Sequence, residues 1–234
     1  MSWNLAAGEV LAIVGESGAG KSATAWALLG LLPRSARVRG SVRLGGQELL
    51  GLGAADLDRL RGARLAIVPQ APLSSLNPVH PLGRQVADAV RAHDRRASPR
   101  AARARALELL ALVGMPDASG RARAYPHELS GGMRQRAVIA MALAHDPEVI
   151  IADEPTSALD VTVQAEILDT LRAGRERTGA AMVLITHDLG AVAGHADRVL
   201  VMHDGRAVES GPAGTVLVEP ASGYTATLVR ATPR

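Results

Sequence analysis

The run Glu9 to Val14, apolar from Val10 onward, meets a glycine, and the residues that follow are Gly15-Glu16-Ser17-Gly18-Ala19-Gly20-Lys21-Ser22. Ser22 to Leu32 then reads as a helix rich in Ala and Leu, stopped by Pro33. A short buried strand that turns through glycines into a helix directs the chain towards an α/β fold. The glycines let the turn form a nest of N–H groups, and the first turn of the helix adds its own unpaired donors. Such a cradle suits an anion. The spacing G-x-x-x-x-G-K-S between strand and helix predicts that Gly15, Glu16, Ser17, Gly18, Ala19, Gly20, Lys21 and Ser22 together hold phosphates. Lys21 would reach the β- and γ-phosphates and the Ser22 hydroxyl would ligate Mg²⁺. An ordinary glycine-rich strand-to-helix turn is the alternative.

Composition favours the chemical reading. The chain has 26 Lys and Arg residues, and Lys21 is its single lysine. A compact ammonium fits among phosphate oxygens in a tight loop where a planar guanidinium fork is hard to place. Apolar residues make up 47% of the 234 positions but aromatics only 2%, so the expected core is Ala, Val, Leu and Ile. With no cysteine, disulfides, Cys-ligated zinc and Cys-held iron–sulfur clusters are excluded within the chain, and a reducing compartment fits. A formal net charge of +3 does not by itself point to nucleic acid. No stretch approaches the roughly 18 consecutive apolar residues of a membrane span. The start, Met1-Ser2-Trp3-Asn4-Leu5, lacks the regions of a signal peptide, so a soluble cytoplasmic protein is expected.

Val38–Leu44 and Gln47–Leu50 around Gly45-Gly46 predict a hairpin, and Leu65–Val68 a buried strand. Proline, serine and asparagine mark a loop from Pro72 to Pro81. From Gly83 to His145 the pattern is helical, with candidates Arg84–Asp94, Pro99–Val113 and Gly132–His145. Strands and helices then alternate: Val149–Ala152, Val161–Arg177, Ala181–Thr186, Leu189–Gly194, Arg198–His203, and Arg206–Glu209 after the Asp204-Gly205 turn. The expected architecture is one domain, 1–234: a mostly parallel α/β core of residues 1–82 and 146–234, interrupted by a helical subdomain, 83–145.

The strand Val149–Ala152 runs into Asp153-Glu154-Pro155. Buried strands rarely tolerate acids, and the C-terminal edge of an open α/β sheet is where ligands bind. Asp153 is therefore a candidate Mg²⁺ ligand and Glu154 a candidate general base for a water. A solvated acidic strand end before a proline turn is the alternative. Arg91, Arg95, Arg96, Arg100, Arg103 and Arg105 form a basic run with no interleaved aromatic to stack bases, so it reads as a solvated helix face.

Leu129-Ser130-Gly131-Gly132-Met133-Arg134-Gln135-Arg136 resembles the signature motif of the ABC ATPases. On its own, Ser130 before two glycines reads as a plain helix N-cap. Around it, Gln70, Ser157-Ala158-Leu159-Asp160 and His187 stand in the order of that family's Q-loop, D-loop and switch histidine. The resemblance implies a P-loop NTPase core that hydrolyses ATP with Mg²⁺. It adds Gln70 to the Mg²⁺ and nucleotide contacts, and Ser130, Gly131, Gly132 and Asp160 to the nucleotide contacts. It makes His187 catalytic beside Glu154. It also implies that two ATP-binding subunits, identical or paralogous, pack head to tail on integral membrane permease subunits, with Ser130 and Gly132 facing the ATP held by Lys21 of the other.

Within the family, Leu73-Ser74-Ser75-Leu76-Asn77-Pro78-Val79 and Ser222-Gly223-Tyr224-Thr225 are similar to segments of the oligopeptide, dipeptide and nickel importers. The implied role is an ATPase at the cytoplasmic face of the membrane, energising uptake of peptides or a solute such as nickel delivered by a solute-binding protein, with no nucleic-acid partner. The rival readings are a soluble ABC ATPase without a transporter and a non-hydrolysing cassette. Against the family layout only 20 residues precede Lys21, so truncated N-terminal strands and no adenine-stacking residue are expected.

Overall fold

The computed structural model describes residues 1–94, 96–157 and 159–231. Strand β1 (Val10–Val14) leads into α1 (Lys21–Leu28). The hairpin strands β2 (Arg43–Leu44) and β3 (Gln47–Glu48) follow, then α2 (Ala54–Leu60) and β4 (Leu65–Val68). Next come α3 (Pro72–Ser75), α4 (Leu82–His93), α5 (Pro99–Leu112), α6 (Ala118–Arg121), a 3-10 turn at Pro126–Glu128, and α7 (Gly131–Ala142). The remainder alternates through β5 (Val149–Asp153), α8 (Val161–Thr178), β6 (Ala181–Thr186), α9 (Leu189–Val192), β7 (Arg198–His203) and β8 (Arg206–Pro212), and ends in α10 (Ala213–Val218) and α11 (Gly223–Ala231).

Six strands form one sheet in the order β4-β5-β6-β1-β7-β8. All pairings are parallel except β7 with β8, which turn on Asp204-Gly205 into an antiparallel pair. The expectation of a mostly parallel α/β sheet is met. β1 and β6 are buried along their whole length, as strands covered on both faces must be. Alternate residues serve opposite layers. Leu11 and Ile13 of β1 pack on the α1 side with Ile151, Val183 and Ile185. Ile150, Met182 and Leu184 pack on the other with helices α4, α5, α7 and α8. The helical stretch between β4 and β5 has no core of its own: Leu82, Val86, Leu109 and Ile139 join the cluster that contains Val68 and Ile150.

Several expectations need correction. Helix α1 ends at Leu28, short of the predicted Leu32, because Gly30 takes the left-handed conformation (φ 62°) and turns the chain. The segment Pro72–Pro81 is not wholly a loop: Pro72 opens the short helix α3. The hairpin strands shrink to two residues each, and the predicted helices Leu189–Gly194 and Gly132–His145 stop at Val192 and Ala142. Strand β8 runs on to Pro212 rather than Glu209. Helices α2, α6, α10 and α11 were not foreseen.

The β2–β3 hairpin closes through Glu48, whose carboxylate accepts from the Ser41 hydroxyl and from the amides of Val42 and Leu50. The Ser41 bond first, then the Val42 amide, hold the Glu48 carboxyl at about 2 against an ordinary 4.5. A folded pKa below the unfolded one gives stability that is complete above pH 4.5 and is lost as pH falls towards 2. Glu48→Gln is therefore expected to lower Tm at neutral pH by a small amount, since the group is exposed. The gap to wild type should close during an acid titration followed by circular dichroism. A gap that stays constant to the acid end would refute the account.

Candidate functional site

The parallel register carries four strand ends to one edge of the sheet. Val14 pairs with Thr186, Asp153 with Ile185 and Val68 with Ala152. Gly15, Gln70, Glu154 and His187, each just beyond a strand, thus leave from the same edge, where open α/β sheets hold ligands.

The loop Gly15–Ser22 curls around its own lysine. Lys21 is only 4% exposed, and its ammonium donates to the carbonyls of Gly15 and Glu16 at 2.9 and 3.0 Å. Its third donor direction is free for the Glu154 carboxylate at 3.8 Å. Gly15 is required by close approach, because a Cβ there would lie 2.2 Å from the Met202 carbonyl oxygen. Gly205 N donates to Ala19 O at 3.2 Å, so the β7–β8 turn supports the far side of the loop.

Glu154 sits at the centre. Its backbone is left-handed (φ 46°), a conformation that non-glycine residues hold only when their surroundings impose it. Its amide donates to Ile185 O at 2.9 Å. Its carboxylate accepts from Gln70 Nε2 at 3.1 Å and lies 3.4 Å from Nδ1 of His187. Beside it, Ser22 Oγ donates to Asp153 Oδ1 at 2.8 Å. Burial pushes the Asp153 carboxyl above its ordinary range, against the Ser22 hydrogen bond and Lys21, which lower it.

Among the described residues, no group of three or more His, Cys, Asp or Glu could hold a metal ion. The Ser22–Asp153 pair nevertheless suits Mg²⁺. It is a hard, oxygen-only pair beside a phosphate cradle, and Mg²⁺ takes one or two protein ligands and completes its shell with phosphate oxygens and water.

Sequence reasoning named Gly15–Ser22, Gln70, Asp153, Glu154 and His187, and the fold assembles them. It places Ser130, Gly131, Gly132 and Asp160 elsewhere. Ser130 caps α7 by accepting from Met133 N at 3.3 Å, and Asp160 caps α8 by accepting from Val163 N at 3.0 Å. The two caps are neighbours: a Cβ on Gly132 would lie 2.7 Å from Val163 Cγ1, and one on Gly131 3.1 Å from Leu159 Cδ2. Ala158 of the same segment lies outside the described residues, as does Arg95 of the basic run. The other arginines of that run are exposed except Arg105, which pairs with Glu108 and Asp146. Two supporting side chains were missed. Gln164 donates to the carbonyls of Thr156 and Leu159, and Ser157 Oγ donates to Gln70 O at 3.2 Å. Nothing local in the sequence marks Gln164; Ser157 stood in the recognised segment without a role.

A phosphate loop and a carboxylate pair at the edge of a mostly parallel sheet define a P-loop nucleotide-binding cassette. The chain belongs to the ABC transporter family, whose profile matches residues 1–157. It is 54% identical over its 234 residues to the oligopeptide transport ATP-binding protein OppD of Mycobacterium tuberculosis, and spans 38% of that protein's length. It is 46% identical to the protein of the same name from Salmonella typhimurium, spanning 70% of it. A probable peptide ABC transporter ATP-binding protein of Sinorhizobium fredii, y4tR, is 48% identical and is spanned to 70%. In fold, the chain is similar to the bacterial ABC transporter cassette MJ0796 in its dimeric structure, with TM-score 0.80, 30% identity, and coverage of 90% of this chain and 88% of that one. A dimeric post-hydrolysis state of MJ0796 bound to ADP and Pi gives TM-score 0.79 at the same identity and coverage.

The raised carboxyl of Asp153 carries a sign that can be tested. Its folded pKa lies above the unfolded one, so its ionisation weakens the fold as pH rises, and at neutral pH the charged form is a cost. Asp153→Asn keeps an acceptor for Ser22 and removes that charge. Thermal melts without nucleotide should show a Tm equal to or above wild type, while Mg²⁺-dependent nucleotide affinity drops at least about tenfold. A variant that melts lower and binds normally would contradict this.

Proposed function

We propose that the chain is the ATP-binding and ATP-hydrolysing subunit of an importer for peptides or a related solute such as nickel. The observation that carries it is the Glu154 carboxylate, held among Lys21, Gln70 and His187 beside the Ser22–Asp153 pair. The amides of Gly15–Ser22 and the Lys21 ammonium bind the phosphates and stabilise charge developing on the γ-phosphoryl group. Ser22 and Asp153 would hold Mg²⁺, with Gln70 as a further contact, and the ion would supply positive charge to offset that of the phosphates. Glu154 orients the attacking water and takes its proton. His187, 60% exposed at the same edge, donates a hydrogen bond to the γ-phosphate and responds to its loss.

The site is half of a larger one in this reading. Ser130, Gly131 and Asp160 are exposed, and Val161 beside them is 81% exposed, which supports a second ATP-binding subunit, identical or paralogous, closing on this surface. Among the described residues no helix is long and apolar enough to cross a membrane, which fits a subunit that works with separate permease subunits and a solute-binding protein that delivers the cargo. The chain would then sit peripherally on the cytoplasmic face of the membrane. The names of the peptide-transport relatives support this class of cargo.

Hydrolysis measured with the permease partners tests the reading. Wild type should release phosphate from ATP only with Mg²⁺. Glu154→Gln should lower kcat by about 10²–10⁴-fold while retaining ATP binding and ATP-dependent pairing by analytical ultracentrifugation. Equal turnover by wild type and variant would sink the assignment of Glu154, and absence of any Mg²⁺-dependent turnover would sink the function.

A further inference from the structure

We propose that Tyr224 is a positioning residue for the phosphate loop, so that α11 sets nucleotide affinity from 208 residues away in sequence. The Tyr224 hydroxyl oxygen accepts a hydrogen bond from the Glu16 amide at 3.3 Å. Glu16 is thereby fixed on both sides of its Cα. Its carbonyl already accepts from Lys21 Nζ at 3.0 Å and from the Ala19 amide at 3.2 Å. With Gly205 N on Ala19 O, these bonds hold the first turn of the loop from within and from two later elements.

Tyr224 is itself firmly placed. Its ring stacks on His203 at the end of β7, with centroids 3.9 Å apart and planes 29° from parallel. The chain entering α11 is tied to β8 by Glu209, whose carboxylate accepts from the amides of Ala221 and Ser222 at 2.8 and 3.0 Å. Thr225, next along the helix, is 2% exposed. The hydroxyl therefore reaches the loop from a rigid support.

This inference rests on the loop binding phosphate. A nest of amides binds an anion best when its curvature is set beforehand, because ordering the loop on binding subtracts from affinity. Tyr224 bonds the Glu16 amide, whereas Glu154 is held by other groups, Ile185, Gln70 and Lys21. Its loss should act on binding and spare the chemical step.

Calorimetric titration of wild type, Tyr224→Phe and Tyr224→Ala with MgATP and MgADP tests this. Tyr224→Phe keeps the stack on His203 and removes only the acceptor, so Kd for both nucleotides should rise about three- to tenfold. Its kcat should stay within about twofold of wild type, and KM should rise in step with Kd. Its Tm without nucleotide should match wild type, which a merely structural role would not leave unmoved. Tyr224→Ala should bind more weakly still; should it fail to fold, the Phe variant carries the test. A Phe variant that binds like wild type, or one that loses kcat and keeps affinity, overturns the inference alone. A wild type that binds neither nucleotide overturns both the inference and the function on which it rests.

Discussion

The in-register parallel pairing of β5, β6 and β1 is the constraint on which the site depends. Side chains alternate faces along a strand, so a slip of one residue would exchange the two buried layers. Ile151 would leave the α1 side for the helical side, and Asp153 would no longer end level with Ile185. Both layers are apolar, so polarity alone specifies the register weakly; shape must contribute. Small residues mark where it does. Ala12, Ala66 and Ala152 are buried in the sheet, and Gly15 admits the Met202 carbonyl at a separation no side chain tolerates. A core almost free of aromatic rings fits this layout, since close-packed aliphatic layers leave little room for them.

The same edge concentrates costs that a purely stable fold would avoid. It buries a lysine and a carboxylate whose ionisation is disfavoured, and it holds Glu154 in a left-handed conformation. Lys21 is partly compensated by two carbonyls, but among the described residues its only carboxylate within ion-pair distance lies at 3.8 Å, too far for a strong charge-assisted bond. Strain and incomplete pairing gathered at one place mark a site kept for binding an anion.

The sequence exposed the parts of this arrangement that are local. Strands Leu65–Val68, Ala181–Thr186 and Arg198–His203 appear with the bounds expected of them, because continuous apolar runs bounded by turn residues define buried parallel strands. Helices α2, α6, α10 and α11 were invisible because short or marginal helices draw their stability from what they pack against: Leu60 is the one buried residue of α2, and Thr225 that of α11. Gln70, Asp153, Glu154 and His187 were each weak alone, and only sheet topology makes them one site. The bond from Tyr224 to Glu16 is the extreme case, since no window along the chain contains both residues.

One further chain of bonds leads out of the site. Gln70 donates to Glu154 through its side chain and accepts from Ser157 through its backbone. Beyond it the segment to Pro81 is held at its far end by Gln85 of α4, whose amide exchanges bonds with Asn77 N, Asn77 O and His80 O at 2.8, 2.9 and 2.8 Å. Between these ties Leu73 stands 58% exposed, and within the far one, between Asn77 and His80, Val79 stands 69% exposed. The two ends differ in strength: the Gln85 end has three short, part-buried bonds, whereas the Gln70 end has two exposed ones above 3 Å. The Gln70 end is therefore the weaker tie, and it is the end that shares the Glu154 carboxylate with Lys21 and His187, whereas Leu76, 4% exposed, anchors the segment between the two ends in the core.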